Sequence, residues 1–149
     1  MTQSTALPPV ITLDSEEYFV DASAAYFRAN SDYNEALEDV AQAEDKIRDL
    51  RRSISDVESE AIVNGEITGS NAETRKASLA LWSAKEPRVI EANGLLRKEE
   101  LRKSRAEAMR DVASNEMSVQ RRRMDAFIAV TNRAAANEAN AGAYERGSR

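Results

Sequence analysis

The stretch Phe19–Ala61, FVDASAAYFRANSDYNEALEDVAQAEDKIRDLRRSISDVESEA, decides the fold. Phe19, Ala22, Tyr26, Ala29, Tyr33, Ala36, Val40, Ala43, Ile47, Leu50, Ile54, Val57 and Ala61 recur at alternating spacings of three and four residues. That is the 3.5-residue period of a left-handed coiled coil. No Gly or Pro interrupts it, and the intervening residues are mostly Asp, Glu, Asn, Ser, Arg and Gln. The spacing predicts one helix over 14–62. Asp14 or Ser15 is placed to cap it, and Glu16, Glu17 and Asp21 suit the positive end of its dipole. At about 1.5 Å per residue such a helix would be roughly 70 Å long. A single helix cannot bury its own stripe, so a partner helix is required. The seam opens with aromatics set against alanines and closes with the branched aliphatics Ile47, Leu50, Ile54 and Val57.

Downstream, Asn64-Gly65-Glu66-Ile67-Thr68-Gly69-Ser70-Asn71 is dense in turn formers and reverses the chain. The turn is assigned to 63–70. Ser70-Asn71-Ala72-Glu73 has capping-box spacing, with Ser70 as N-cap and Glu73 as N3, and predicts a short helix over 71–82. The same Gly-x-x-x-Gly-Ser run lacks the Gly-Lys-Ser/Thr ending of a phosphate-binding loop, and no strand precedes it. Pro87 then either kinks or breaks the second arm, and Ser83 with Glu86 repeats the capping-box spacing. A long helix over 88–136 follows. Val89, Ile90, Leu95, Leu96, Leu101, Met109, Val112, Met117, Met124, Phe127, Ile128 and Val130 are read as its apolar face. Residues 1–13 are assigned to an extended N-terminal arm and 137–149 to a frayed tail.

These elements predict an all-α protein: a long antiparallel helical hairpin (coiled coil) with a short helix at the turn end. Two registers are open. A straight second arm makes residue i face about 134 − i. A break at Ser83–Pro87 makes it face about 150 − i, which sets Tyr33 opposite Met117, Tyr26 opposite Met124 and Phe19 near Val130. The second register is preferred because it equalises the two long helices and pairs sulfur with aromatic rings.

Composition narrows function mainly by exclusion. The 149 residues contain no Cys and no His. Disulfides, thiolate nucleophiles, imidazole bases and Cys/His zinc sites are therefore absent. Adjacent carboxylates such as Glu16-Glu17 and Glu99-Glu100 diverge by about 100° around a helix and do not converge on one site. No catalytic residue, cofactor site or metal site is predicted, and the chain is read as non-enzymatic. Residues 1–13 carry no basic n-region followed by a long apolar run, and no apolar stretch is long enough to span a bilayer. The expectation is a cytoplasmic protein without a membrane partner.

Charge is divided unevenly along the chain. Residues 1–70 hold 15 acidic and 5 basic side chains, whereas residues 71–149 hold 11 and 16. One reading is complementarity between an acidic arm and a basic arm. The other is phosphate contact by Arg97, Lys98, Arg102, Lys103, Arg105, Arg122 and Arg123. Interleaved carboxylates and a lack of stacking aromatics weigh against the second. Trp82 is either an anchor for the short helix or a partner contact at the hairpin tip. Leu37, Ile62 and Leu96 are read as flanks left for another copy.

The Gly-containing turn, the run Asn71-Ala72-Glu73-Thr74-Arg75-Lys76-Ala77-Ser78-Leu79, the break Lys85-Glu86-Pro87 and the segment Arg123-Met124-Asp125-Ala126-Phe127-Ile128 lie in a region, 64–134, that resembles small helical proteins encoded by bacteriophages and prophages. Pro87 and the weaker apolar content at the end depart from that pattern. The resemblance implies a bacterial host and a setting near replication and recombination genes; it transfers no functional residue. The functional expectation is a helical interaction and assembly protein that self-associates or binds a protein partner. The alternatives are a nucleic-acid-binding accessory of recombination or replication and an inhibitor of a host defence protein.

Overall fold

A computed structural model describes the backbone of residues 16–147 and the side chains of 16–140. The expected N-terminal arm, and the caps Asp14 and Ser15, lie outside the described residues. Three helices follow in order: α1 (Glu16–Val63), α2 (Ala72–Ser83) and α3 (Pro87–Gly147), with no strand among the described residues. The long helices α1 and α3 pack against each other as an antiparallel hairpin, and α2 closes the turn end.

Local chemistry accounts for each boundary. Gly65 has φ +77° and ends α1 in a Schellman motif, where Glu66 N–H donates to Ala61 O at 2.9 Å and Gly65 N–H to Ile62 O at 3.1 Å. The cap of α2 is Asn71, not Ser70. Asn71 Oδ1 accepts from Thr74 N–H at 2.8 Å, and Thr74 Oγ1 accepts from Asn71 N–H at 3.2 Å. Thr74 thus takes the N3 role expected of Glu73, because Asn71 reaches the first turn just as well and starts the helix one residue later. Gly69 is pressed against that turn: a Cβ there would come within 2.5 Å of Arg75 N. Pro87 breaks the second arm. It occupies the first position of α3, where its missing N–H costs nothing. Ser83 is the last residue of α2 rather than a cap, and its hydroxyl donates to Glu58 at 3.2 Å. Beyond 136, where a frayed tail was expected, α3 continues to Gly147. The alanine-rich run 134–143 has high helix propensity and no breaker before Gly142.

The chain forms two compact units, Asn34–Asp111 and Met1–Tyr33 with Val112–Arg149. In the unit Asn34–Asp111, Ala36, Val40, Ala43, Ile47 and Ala61 of α1 are buried with Val89 and Ala106 of α3, and Ile67 tucks under the turn. Cross-helix pairs there have residue numbers adding to between 141 (Asp39 with Arg102) and 151 (Arg51 with Glu100). In the other unit, Ala22, Ala29, Ala113 and Gln120 are buried. Phe19 meets Phe127, with ring centroids 5.2 Å apart, instead of Val130, which is exposed. The pairing is about one helical turn tighter than 150 − i. Such a slip moves one seam residue onto the next and leaves the buried stripe unchanged, so periodicity alone does not resolve it.

Every seam position expected on α1 is buried or half-buried. On α3 the seam departs from the apolar list. It runs through Val89, Ala92, Leu96, Glu99, Lys103, Ala106, Arg110, Ala113, Met117, Gln120, Met124 and Phe127, all at least half-buried and again spaced three and four apart. Ile90, Leu95, Leu101, Met109, Val112, Ile128 and Val130 are exposed. Position on the heptad, not hydropathy, decides which side chains face α1. Lys103 and Arg110 take seam positions with their side chains still about one-third exposed, which suits long residues that combine an aliphatic stem with a charged tip.

Candidate functional site

The structure divides the seven basic residues singled out for phosphate contact. Arg102 is engaged with Asp39 and with Gln42 Oε1 at 3.2 Å. Lys103 Nζ lies 2.7 Å from Glu44 and 3.7 Å from Glu107. The Arg123 guanidinium sits 4.6 Å from the centre of the Tyr18 ring and donates to Gln120 Oε1 at 2.9 Å. These three serve the hairpin. Arg97, Lys98, Arg105 and Arg122 are exposed and form no ion pair among the described residues.

Lys98 and Arg105 stand one heptad apart on α3, about 10 Å along the axis. They border a shallow groove of about 320 Å³ floored by Leu101, Ala106 and Met109. A second groove of about 530 Å³ lies across the helices and is lined by Glu44, Arg48, Arg51, Glu100, Lys103 and Glu107. Its charges neutralise one another: Arg51 Nη2 donates to Glu100 Oε1 at 3.2 Å. The Lys103 ammonium, by hydrogen bond and then by charge, holds the Glu44 carboxyl below its ordinary pKa, and Glu44 raises that of Lys103 in return. At the start of α3, Arg88 Nε donates to Glu86 at 2.8 Å and its Nη1 to Glu60 at 3.1 Å. The Glu86 carboxyl is lowered and Arg88 raised, first through their mutual hydrogen bond.

Trp82 is half-buried in the last turn of α2, and its indole N–H donates to Glu66 Oε2 at 3.0 Å. That contact ties α2 to the turn. The apolar side chains offered to solvent at this end are its neighbour Leu81, with Ile62 and Val63 of α1. Leu37 and Ile62 are exposed, as expected of free flanks, whereas Leu96 lies in the seam.

Beyond Leu37 and Ile62, the sequence reading did not single out the following outer-face pairs. Val20 and Phe27, seven residues apart on α1, are 59% and 68% exposed. Val112 and Val119, also seven apart on α3, are 69% and 49% exposed. The available signal was a second seven-residue spacing, at positions adjacent to the seam rather than on it. No group of His, Cys, Asp or Glu suited to a metal ion occurs among the described residues. No described helix is long and apolar enough to cross a membrane.

No protein family, curated protein or solved structure matches the chain. The functional reading therefore rests on these surfaces: paired charges across the hairpin, a few unpaired cations on α3, and large apolar side chains on the outer faces of both long helices.

Proposed function

We propose that the chain is a non-enzymatic helical interaction and assembly protein that associates with itself or with a protein partner. The observation that carries this reading is the exposure of Phe27, Met109 and Val112, each about two-thirds open to water on helices whose seam faces are already packed. Large apolar groups kept in water on an ordered helix are costly and mark protein contact surfaces. The resemblance to small phage-encoded helical proteins is in keeping with this role and would imply a bacterial host. Sedimentation velocity over a micromolar to millimolar range tests it. Concentration-dependent association supports the proposal. A strict monomer that also captures no protein from host lysate counts against it.

A second reading, nucleic-acid binding by α3, is favoured by one observation: Arg97, Lys98, Arg105 and Arg122 remain available for phosphates. Four contacts of this kind should give an affinity for duplex DNA that falls steeply with salt, by a slope of about −0.9 per contact. A titration at two salt concentrations separates the readings, and the interaction reading expects no such affinity.

A further inference from the structure

The outer face of α1 between Glu16 and Ser31 carries a pattern that is complementary to its own reverse. Val20 and Phe27 are its large apolar residues, exposed and seven apart. Ser23 and Ala24, between them, are small. Glu17 and Asp21 lie toward one end, and Arg28 toward the other. Arg28 has no ion-pair partner among the described residues.

We propose that this strip is a two-fold docking site for a second copy of the chain, with the two α1 helices antiparallel and crossing at Ser23–Ala24. It rests on the interaction reading above and names its surface and its partner. A two-fold axis midway between residues 23 and 24 sets Val20 of each copy against Phe27 of the other. The small residues at the axis let the backbones approach. Successive residues rise about 1.5 Å, so Arg28 comes within about 3 Å in height of both Glu17 and Asp21 on the second copy, on the same side of the contact. Each copy thereby offers one unpaired cation to two carboxylates of the other. This is the self-complementarity an isologous interface requires. It argues for a second copy over an unrelated partner, because a foreign helix would have no reason to find its own charge order reversed here. The strip is short, so the dimer belongs to the weak class below about 1,200 Å² of buried surface.

The chain has no cysteine, which makes site-specific cross-linking clean. Ala24→Cys, at the axis, should be joined to its own copy by a short bis-maleimide, whereas Ser55→Cys, exposed elsewhere on α1, should stay monomeric. Adding Phe27→Asp to Ala24→Cys should slow cross-linking about tenfold or more. Arg28→Glu should slow it as well, and Glu17→Arg combined with Arg28→Glu should restore it. All these positions are on the outer face, and unchanged helicity by circular dichroism confirms that folding is intact. The proposal is overturned if Ala24→Cys cross-links no faster than Ser55→Cys, or if Phe27→Asp leaves the rate unchanged. If the unmodified chain nevertheless self-associates in sedimentation, this surface is wrong and the assembly reading stands. Poor reaction of Ala24→Cys with a monofunctional maleimide would assign the strip to another part of the same chain, and would also overturn it.

Discussion

Phe19 of α1 and Phe127 of α3 meet with their ring centroids 5.2 Å apart and their planes inclined by 39°. The contact joins positions 108 residues apart in sequence and sets the register of its unit. Both rings are half-buried, so truncation should cost less than in a closed core. Phe127→Ala is expected to destabilise by about 2–3 kcal/mol, at or below the low end of the range for aromatic truncation. Val130→Ala should stay within about 0.5 kcal/mol, because Val130 faces water. Urea denaturation of both variants checks this. Equal losses would restore the register in which Val130 opposes Phe19.

Glu99 occupies a seam position of α3, and its Oε2 is buried without a hydrogen bond. Lys46 and Arg102 approach its carboxylate only to 3.8 Å each. Leu50 and Leu95 line the adjacent groove with Lys46. A buried carboxylate oxygen left unsatisfied costs about 1–3 kcal/mol. Glu99→Leu should therefore raise stability by about 1 kcal/mol, offset in part by the loss of two long ion pairs. Glu100→Leu, on the exposed side, should not. A melting temperature lowered by Glu99→Leu would mean that the ion pairs outweigh the desolvation.

Much of this architecture is readable from residue spacing alone. The α1 seam is legible because hydropathy and heptad position agree from Phe19 to Ala61. On α3 they part company. Glu99, Lys103, Arg110 and Gln120 take seam positions, while Leu101, Met109 and Val112 lie outside, so a search for apolar residues finds Val89, Leu96, Met117, Met124 and Phe127 of the stripe but not its polar members. Spacing from Val89 to Phe127 in steps of three and four would have recovered it. Register was not legible, since a one-turn slip preserves every seam. Nor was the division of the basic residues: whether Arg102 or Lys98 is free depends on which carboxylate of α1 lies opposite. That follows from register.

The glycines give a pair of opposite expectations. Gly94 is inside α3, and a Cβ there would meet nothing within 4 Å. Gly94→Ala should stabilise by up to about 1 kcal/mol through helix propensity and a less flexible unfolded chain. Gly65 also has open space, but its φ of +77° is unfavourable for an L side chain. Gly65→Ala should cost about 1 kcal/mol or more, by straining the Schellman turn. Differential scanning calorimetry should show the two melting temperatures moving apart. If both variants moved the same way, helix termination at Gly65 would not depend on its left-handed backbone.

The last expectation concerns pH. In the folded chain Lys103 holds Glu44 below its ordinary pKa, and Arg88 does the same for Glu86. A carboxyl whose pKa is lower folded than unfolded adds stability that is complete above its unfolded pKa. That stability is lost as pH falls through the folded one. Lys103 is raised, so its share is complete below the unfolded lysine pKa and is lost as pH rises through the raised value. Both pairs therefore favour the fold most across the neutral range and weaken it toward acid and strong base. The groups are at the surface, where water and salt screen them, so the effect should be small and diminish with added salt. Thermal unfolding from neutral to about pH 3 should show a melting temperature that falls less steeply in Glu44→Gln with Glu86→Gln than in the unmodified chain. Equal acid slopes in the two proteins would show that these carboxylates have the same proton affinity folded and unfolded, and that the pairs with Lys103 and Arg88 do not persist in solution.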